Sequence, residues 1–303
     1  MNKWDRSNDA CSFGSIRISR IIDMENAAFP AATLFPNATP EHIRTLSNRF
    51  GRQHINPNSL ELYLSFHGFI VKTERHTILV DSCVGNGKER PGRPMWNKRS
   101  GPFLRNLQKQ GISPEKIDYV MCTHLHADHV GWNTKLENGE WVPTFPNAQY
   151  LFGEREFKFW QKKQKKSRNP IMYGAHADSV LPIMKKGQGL LINGNHEISD
   201  GLFTEPAYGH TPGNLVLNVT EGSKTHAIIC GDVMHHPIQL ANPEWSSCFC
   251  ENPQMSRETR MSLLNRFSDS NTFILPAHFQ SPGYGPVERD GKGYRMKDGI
   301  GEK

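Results

Sequence analysis

Residues 123–129 read Thr-His-Leu-His-Ala-Asp-His, so three histidines and an aspartate fall within six positions. Neutral imidazole and carboxylate are the ligands that zinc takes. In an extended start, His124 and His126 point the same way, because side chains alternate along a strand. Two imidazoles on one side can share one metal. Asp128 and His129 then lie past a bend and can reach a second. Four further residues follow apolar, strand-like runs: Asp81 in ILVDS, His210 in AYGHTPGN, Asp232 in IICGDVMHH and His278 in ILPAHF. Each alone is a weak signal. Acids and histidines at several strand ends, converging on one rim, are hard to explain as structure alone.

The elements that must position these residues can be read from periodicity. Segment 16–23 alternates apolar and polar residues and predicts a first strand. Residues 24–60 show little periodicity beyond a short helix opened by Thr39 as N-cap and Pro40 in the first turn. This stretch is expected to form an arm (about 1–60) whose exposed aromatics could exchange across a homodimer. Residues 61–82 give two or three strands, broken at His67-Gly68 and at Glu74-Arg75-His76. A helix is expected over 103–110, ended by Gly111, and a buried strand over 117–122. Further on, a strand at 149–152 leads to a helix from Glu154 to about Lys165, and another helix covers about 176–186. Strands follow at 189–192, 203–208, 215–220 and 226–230, then a helix at about 255–267 and the strand TFILPA. A Gly-rich, charged tail from about 283 to 303 reads as an edge loop or hairpin. Runs of strands with interposed helices indicate a layered α/β fold, treated as one domain over 1–303.

The chain resembles the metallo-β-lactamase superfamily from about Ile16 to His278. The resemblance rests on the H-x-H-x-D-H motif and on the order Asp81, motif, His210, Asp232, His278. It implies a four-layered αββα sandwich with the metals at one edge. It also implies that His124, His126 and His210 bind a first metal and that Asp128, His129 and His278 bind a second. Asp232 would bridge both, and Asp81 would orient a ligand histidine without touching metal. Two divalent ions, with zinc expected, would hold a bridging water and lower its pKa toward about 7, making a hydroxide nucleophile. Asp128 could also move a proton, so Asp128 and Asp232 are the catalytic candidates. Retention of both Asp128 and His129 argues against the single-iron branch, and the chain has no room for the second domain of a flavodiiron-type redox protein.

The segments 81–88 and 129–134, with Trp141–Pro146, resemble a branch near lactonases, methyl parathion hydrolase and chlorothalonil dehalogenase. Trp132, Phe145, Trp96, Phe29 and Phe35 either wall an apolar pocket or pack in the core and arm. An apolar pocket favours a neutral lactone or ester, with a phosphotriester or an aromatic halide next; a nuclease or a β-lactamase is a weaker reading. Other histidines read as bland, and His235 and His236 as outer or solvated. His176-Ala177-Asp178 echoes the motif by chance.

The bulk numbers bound these readings. A net charge of +6 and the basic run Lys162, Lys163, Lys165, Lys166, Arg168 fit a solvated helix face and its exit better than nucleic-acid binding. No apolar run approaches the roughly 20 residues that span a bilayer. With no secretory leader visible and six cysteines read as thiols, with Cys83, Cys122 and Cys230 placed in packing, a cytoplasmic location and a small-molecule substrate are expected.

Overall fold

The computed structural model describes residues 4–5, 9–281 and 283–297. The last residues of the expected tail, 298–303, and parts of the arm at 1–3 and 6–8 lie outside the described residues. Two mixed sheets share one core, with helices outside them, giving the αββα arrangement. In the first sheet, β1 (Ala10–Phe13), β2 (Ile16–Pro30), β3 (Ile55–Asn56) and β4 (Glu61–Lys72) precede β5 (Thr77–Val80) and β6 (Tyr119–Met121). A hairpin of β7 (Thr134–Glu137) and β8 (Glu140–Pro143) follows, then β9 (Gln149–Gly153) and β10 (Gly189–Ile192). The path is β1-β2-β4-β5-β6-β9-β10, with β3 on β4; it is antiparallel as far as β5 and parallel beyond. The second sheet orders β11 (His196–Ser199), β12 (Leu202–Pro206), β13 (Leu215–Glu221), β14 (Lys224–Gly231) and β15 (Phe273–Pro276), with only the last pair parallel. The tail forms the hairpin β16 (Val287–Asp290) and β17 (Gly293–Met296). Phe13 against Phe273, 5.2 Å between centroids, is one bridge between the sheets.

Three expectations are corrected. The first strand does not stop at residue 23 but runs to Pro30, through two register shifts between Ile22 and Ala27. Bulges add residues out of step, and this erased the two-residue period. Strand β4 is unbroken at His67-Gly68. Gly68 is there because a Cβ would sit 2.1 Å from the Asp81 carbonyl oxygen, so it marks a close approach of backbones. The aromatics of the arm are not exposed: Phe29, Phe35 and Phe50 are buried, and Phe35 packs on Trp245. Its helix α1 (Ala31–Leu34) leads to α2 (Pro40–Phe50), where Thr39 caps by accepting from His42 N at 3.2 Å. The helix expected at 176–186 opens with a π-type turn over His176–Val180 before it tightens.

The loop after β5 is laced to residues 129–133. Ser82 N donates to His129 O, Gly131 N to Cys83 O and Trp132 N to Ser82 O, at 2.6–2.9 Å. A Cβ on Gly131 would lie 1.8 Å from Val84 O, so only glycine permits the contact. Gly131→Ala is expected to cost roughly 3 kcal/mol and to lower bound metal with it; a wild-type melting temperature would rule this packing out.

His54 is fully buried, with neither ring nitrogen hydrogen-bonded, and burial holds its pKa down at about 4. A base with a depressed folded pKa leaves stability intact above its unfolded value, 6.5, and loses it as pH falls toward 4. His54→Leu should therefore narrow the gap between urea midpoints at about pH 7.5 and pH 5. An unchanged gap would show that His54 is charged in the folded state.

Candidate metal centre

Strand ends deliver the site. Residues 123–126 leave β6 extended, and the motif then turns into α3 (Ala127–Val130), so His126 stands at the entrance and Asp128 and His129 lie within one helical turn. Asp232 follows β14, His278 follows β15, and His210 sits between β12 and β13. All seven side chains come together. His124, His126, His210 and Asp232 offer ligand atoms within 4.8 Å of one another, and so do Asp128, His129 and His278.

Tautomers follow from the outer partners. His129 Nδ1 lies 2.8 Å from Asp81 Oδ2, and His278 Nδ1 lies 2.9 Å from Ser65 O. Carboxylate and carbonyl only accept, so both rings donate outward and turn Nε2 inward. Asp81 itself, with φ of 59°, accepts further bonds from Thr123 N at 2.7 Å and from the Thr123 hydroxyl at 2.8 Å. His210 points Nδ1 at Cys250 Sγ, 3.6 Å away. Its Nε2 lies 3.0 Å from His126 Nδ1 and 3.2 Å from His124 Nε2. Asp232 divides its oxygens: Oδ2 is 3.2 Å from His210 Nε2, while Oδ1 is 3.1 Å from His278 Nε2 and 3.3 Å from His129 Nε2.

This donor set fits two cations. Burial holds His126 down at about 4 and His124 and His210 well below the usual range, which favours neutral rings that each carry one lone pair. Their facing nitrogens lie within hydrogen-bond distance, with donor and acceptor set by the tautomer, and the same atoms could turn to a shared cation. His129 Nε2 and Asp232 Oδ1 are buried without a hydrogen-bond partner. Burial opposes charge on His129 and His278, yet the carboxylates around them, Asp232 foremost, raise both. Asp232 is held well below its usual value: burial opposes this, and His278 and His129 outweigh it. Ligation at His129 and His278 must therefore displace protons.

Several contributors were not found from sequence. Glu156, fully buried, accepts from Leu125 N, from Trp160 Nε1 and from Gly213 N at 2.6–3.1 Å, and so ties both histidine-bearing loops to one helix. It reads in sequence as an ordinary first-turn acid. His235 is buried, not solvated, with Nε2 3.2 Å from Asp232 Oδ2 and 3.1 Å from Ser247 Oγ. His236 is buried against the His54 carbonyl oxygen. His176 and Asp178 belong to neither donor group; Asp178 instead pairs with the buried Arg90 at 2.6 and 2.9 Å.

A cavity of about 520 Å³ opens onto His126, Asp128, Asp232 and His278. Of the expected wall residues, Phe29 and Trp96 line it, with Phe66, Tyr173 and Phe249. Trp132, Phe145 and Phe35 do not. Trp132 stacks on Phe103 at 5.7 Å, Phe145 packs beside Tyr150, and Phe35 faces Trp245. Aromatic type alone does not distinguish wall from core.

The family model of the metallo-beta-lactamase superfamily matches residues 67–278. The chain belongs to the metallo-beta-lactamase superfamily, and its two donor groups are of the kind that could hold metal ions. Among curated relatives, it is 26% identical over 183 residues to metallo-beta-lactamase domain-containing protein 1 of Xenopus laevis, covering 60% of this chain and 62% of that one. The chain spans under two thirds of the length of the first curated relatives it matches. Among solved structures, the hydrolase AbOPH of the beta lactamase superfamily superposes with a TM-score of 0.77 at 24% identity, covering 94% and 95% of the two chains. AidC, a dizinc quorum-quenching lactonase, superposes with a TM-score of 0.76 at 20% identity over the same shares. Among the described residues, no helix is long and apolar enough to cross a membrane.

Asp81→Ala frees the His129 ring and should weaken metal binding about 10- to 100-fold. Metal retained against a graded chelator, measured by elemental analysis, reads this; retention equal to wild type would remove Asp81 from the site.

Proposed function

We propose that the chain is a dinuclear zinc hydrolase that opens neutral lactones or cleaves neutral esters. The observation that carries this reading is the sharing of Asp232 between two donor groups beside an aromatic-walled cavity. Bound metals would supply a Lewis acid and a water activated for attack at neutral pH.

The chain's own residues do the rest. Asp232 holds the two groups in register through its separate oxygens. Asp128, 13% exposed at its side chain, faces the cavity and can take and return a proton as the leaving oxygen departs. Phe29, Phe66, Trp96 and Phe249 keep water from the acyl or aryl portion of a substrate. The lactonase activity in the name of AidC supports the lactone reading, as does the fit of its fold. The same aromatic walls favour, as a second reading, an aryl phosphotriester or a halogenated aromatic compound. Either way the substrate is a small molecule.

Metal content should be about two ions per chain. It would be measured alongside turnover of an acyl homoserine lactone, a p-nitrophenyl ester, a phosphotriester and a chlorinated aromatic nitrile. Asp232→Ala and His129→Ala should abolish turnover. One iron per chain and no hydrolysis would overturn the proposal and point to redox chemistry.

A further inference from the structure

The charged residues lining the cavity are Arg93, Asp128, Asp232 and Glu251. The two aspartates face the histidines, and both oxygens of Glu251 take Lys163 Nζ at 2.7 Å. Among the described residues, Arg93 alone of the four has no oppositely charged partner. Nearby cations are all neutralised: Arg90 by Asp178, Arg99 by Asp23 and Lys98 by Glu89.

Arg93 is nonetheless held in place. Its guanidinium carbon lies 5.1 Å from the ring centroids of Tyr173 and Phe249 and 5.5 Å from that of Trp96. Such rings hold the plane of a guanidinium but do not neutralise its charge. Its Nε donates to the Tyr173 hydroxyl at 2.9 Å, which leaves both terminal amino groups without an acceptor. Tyr173 is itself fixed. Met172 and Tyr173 both have left-handed φ, 50° and 55°, a region non-glycine residues rarely adopt. The Tyr173 carbonyl oxygen is gripped by Arg90 at 3.1 Å, and Arg90 by Asp178. An ion pair between buried Arg90 and half-buried Asp178 thus sets the residue that aims Arg93.

We propose that Arg93 and Tyr173 form a subsite for a carboxylate carried by the substrate away from its reacting carbon. This rests on the ester or lactone hydrolase reading and amends its substrate class: the reacting ester or lactone bond is uncharged, but the molecule carries one remote negative charge. A guanidinium edge matches the two oxygens of a carboxylate, and one unpaired cation balances one negative charge rather than a dianion. A second feature points the same way. Arg168 has no acidic partner among the described residues and lies two positions before Pro170, which lines the cavity; Lys162, Lys165 and Lys166, also without an acidic partner there, precede it in the chain. Positive charge near an entrance raises the encounter rate of anions and does so less at high salt.

The test compares mono-p-nitrophenyl glutarate with its methyl ester, which has nearly the same shape and no charge. Metal-loaded wild type should favour the acid at least about tenfold in kcat/KM, and less at raised salt. Arg93→Met should bring that ratio to about one with metal content unchanged. Arg75→Met removes an exposed cation paired with Asp200, at the other end of β5, and should keep the wild-type ratio. A wild-type ratio near one, or a ratio unmoved in Arg93→Met, overturns the subsite while leaving the hydrolase standing. If neither ester is cleaved, calorimetry with hexanesulfonate, a poor metal ligand, separates the two ideas. Binding weakened about tenfold or more in Arg93→Met keeps the subsite and discards ester hydrolysis; equal binding discards the subsite.

Discussion

Burial of ring nitrogens and carboxylates in one cluster is the constraint on which the centre depends. His124, His126 and His210 present ring nitrogens at about 3 Å, stripped of water. Buried polar atoms need partners, and the cluster leaves His129 Nε2 and Asp232 Oδ1 without one. From outside the cluster Asp81 holds His129, the Ser65 carbonyl holds His278 and Cys250 stands beside His210. These anchors belong to other strands and loops, so the whole sandwich is engaged in holding a handful of atoms.

The two sheets contribute unequally. The first brings Asp81 and the motif, whose close contact is permitted by Gly131 and extended by Gly68. The second brings His210, Asp232 and His278. Glu156 is the tie between them, because one carboxylate accepts from Leu125 N on the motif side and from Gly213 N on the His210 side. Burial raises its pKa, and its three donors hold it in place.

The residues that cluster at the centre were legible in sequence because their signal is local: a six-residue spacing, and polar residues directly after apolar runs. The layered fold was legible for the same reason, through strand and helix periods. What escaped depends on distant partners. The register shifts in β2 look like loss of periodicity, and Gly68 looks like a break, until β4 and the Asp81 backbone are seen side by side. Trp132 and Trp96 are the same residue type, yet one is stacked in the core and the other lines the cavity. Arg93 carried no mark at all, since a missing ion-pair partner is a fact about space. One local signal was there and unused: Asn138-Gly139, with φ of 51° and 84°, turns the hairpin of β7 and β8.

The walls of the cavity come largely from segments 91–96, 170–173 and 248–249, while the ligands come from the ends of β6, β14 and β15 and from the turn holding His210. Reactivity and selectivity are therefore written in different stretches of chain. Replacing residues in the wall segments would alter the cavity's shape and charge while leaving the strand ends that carry the histidines and aspartates in place.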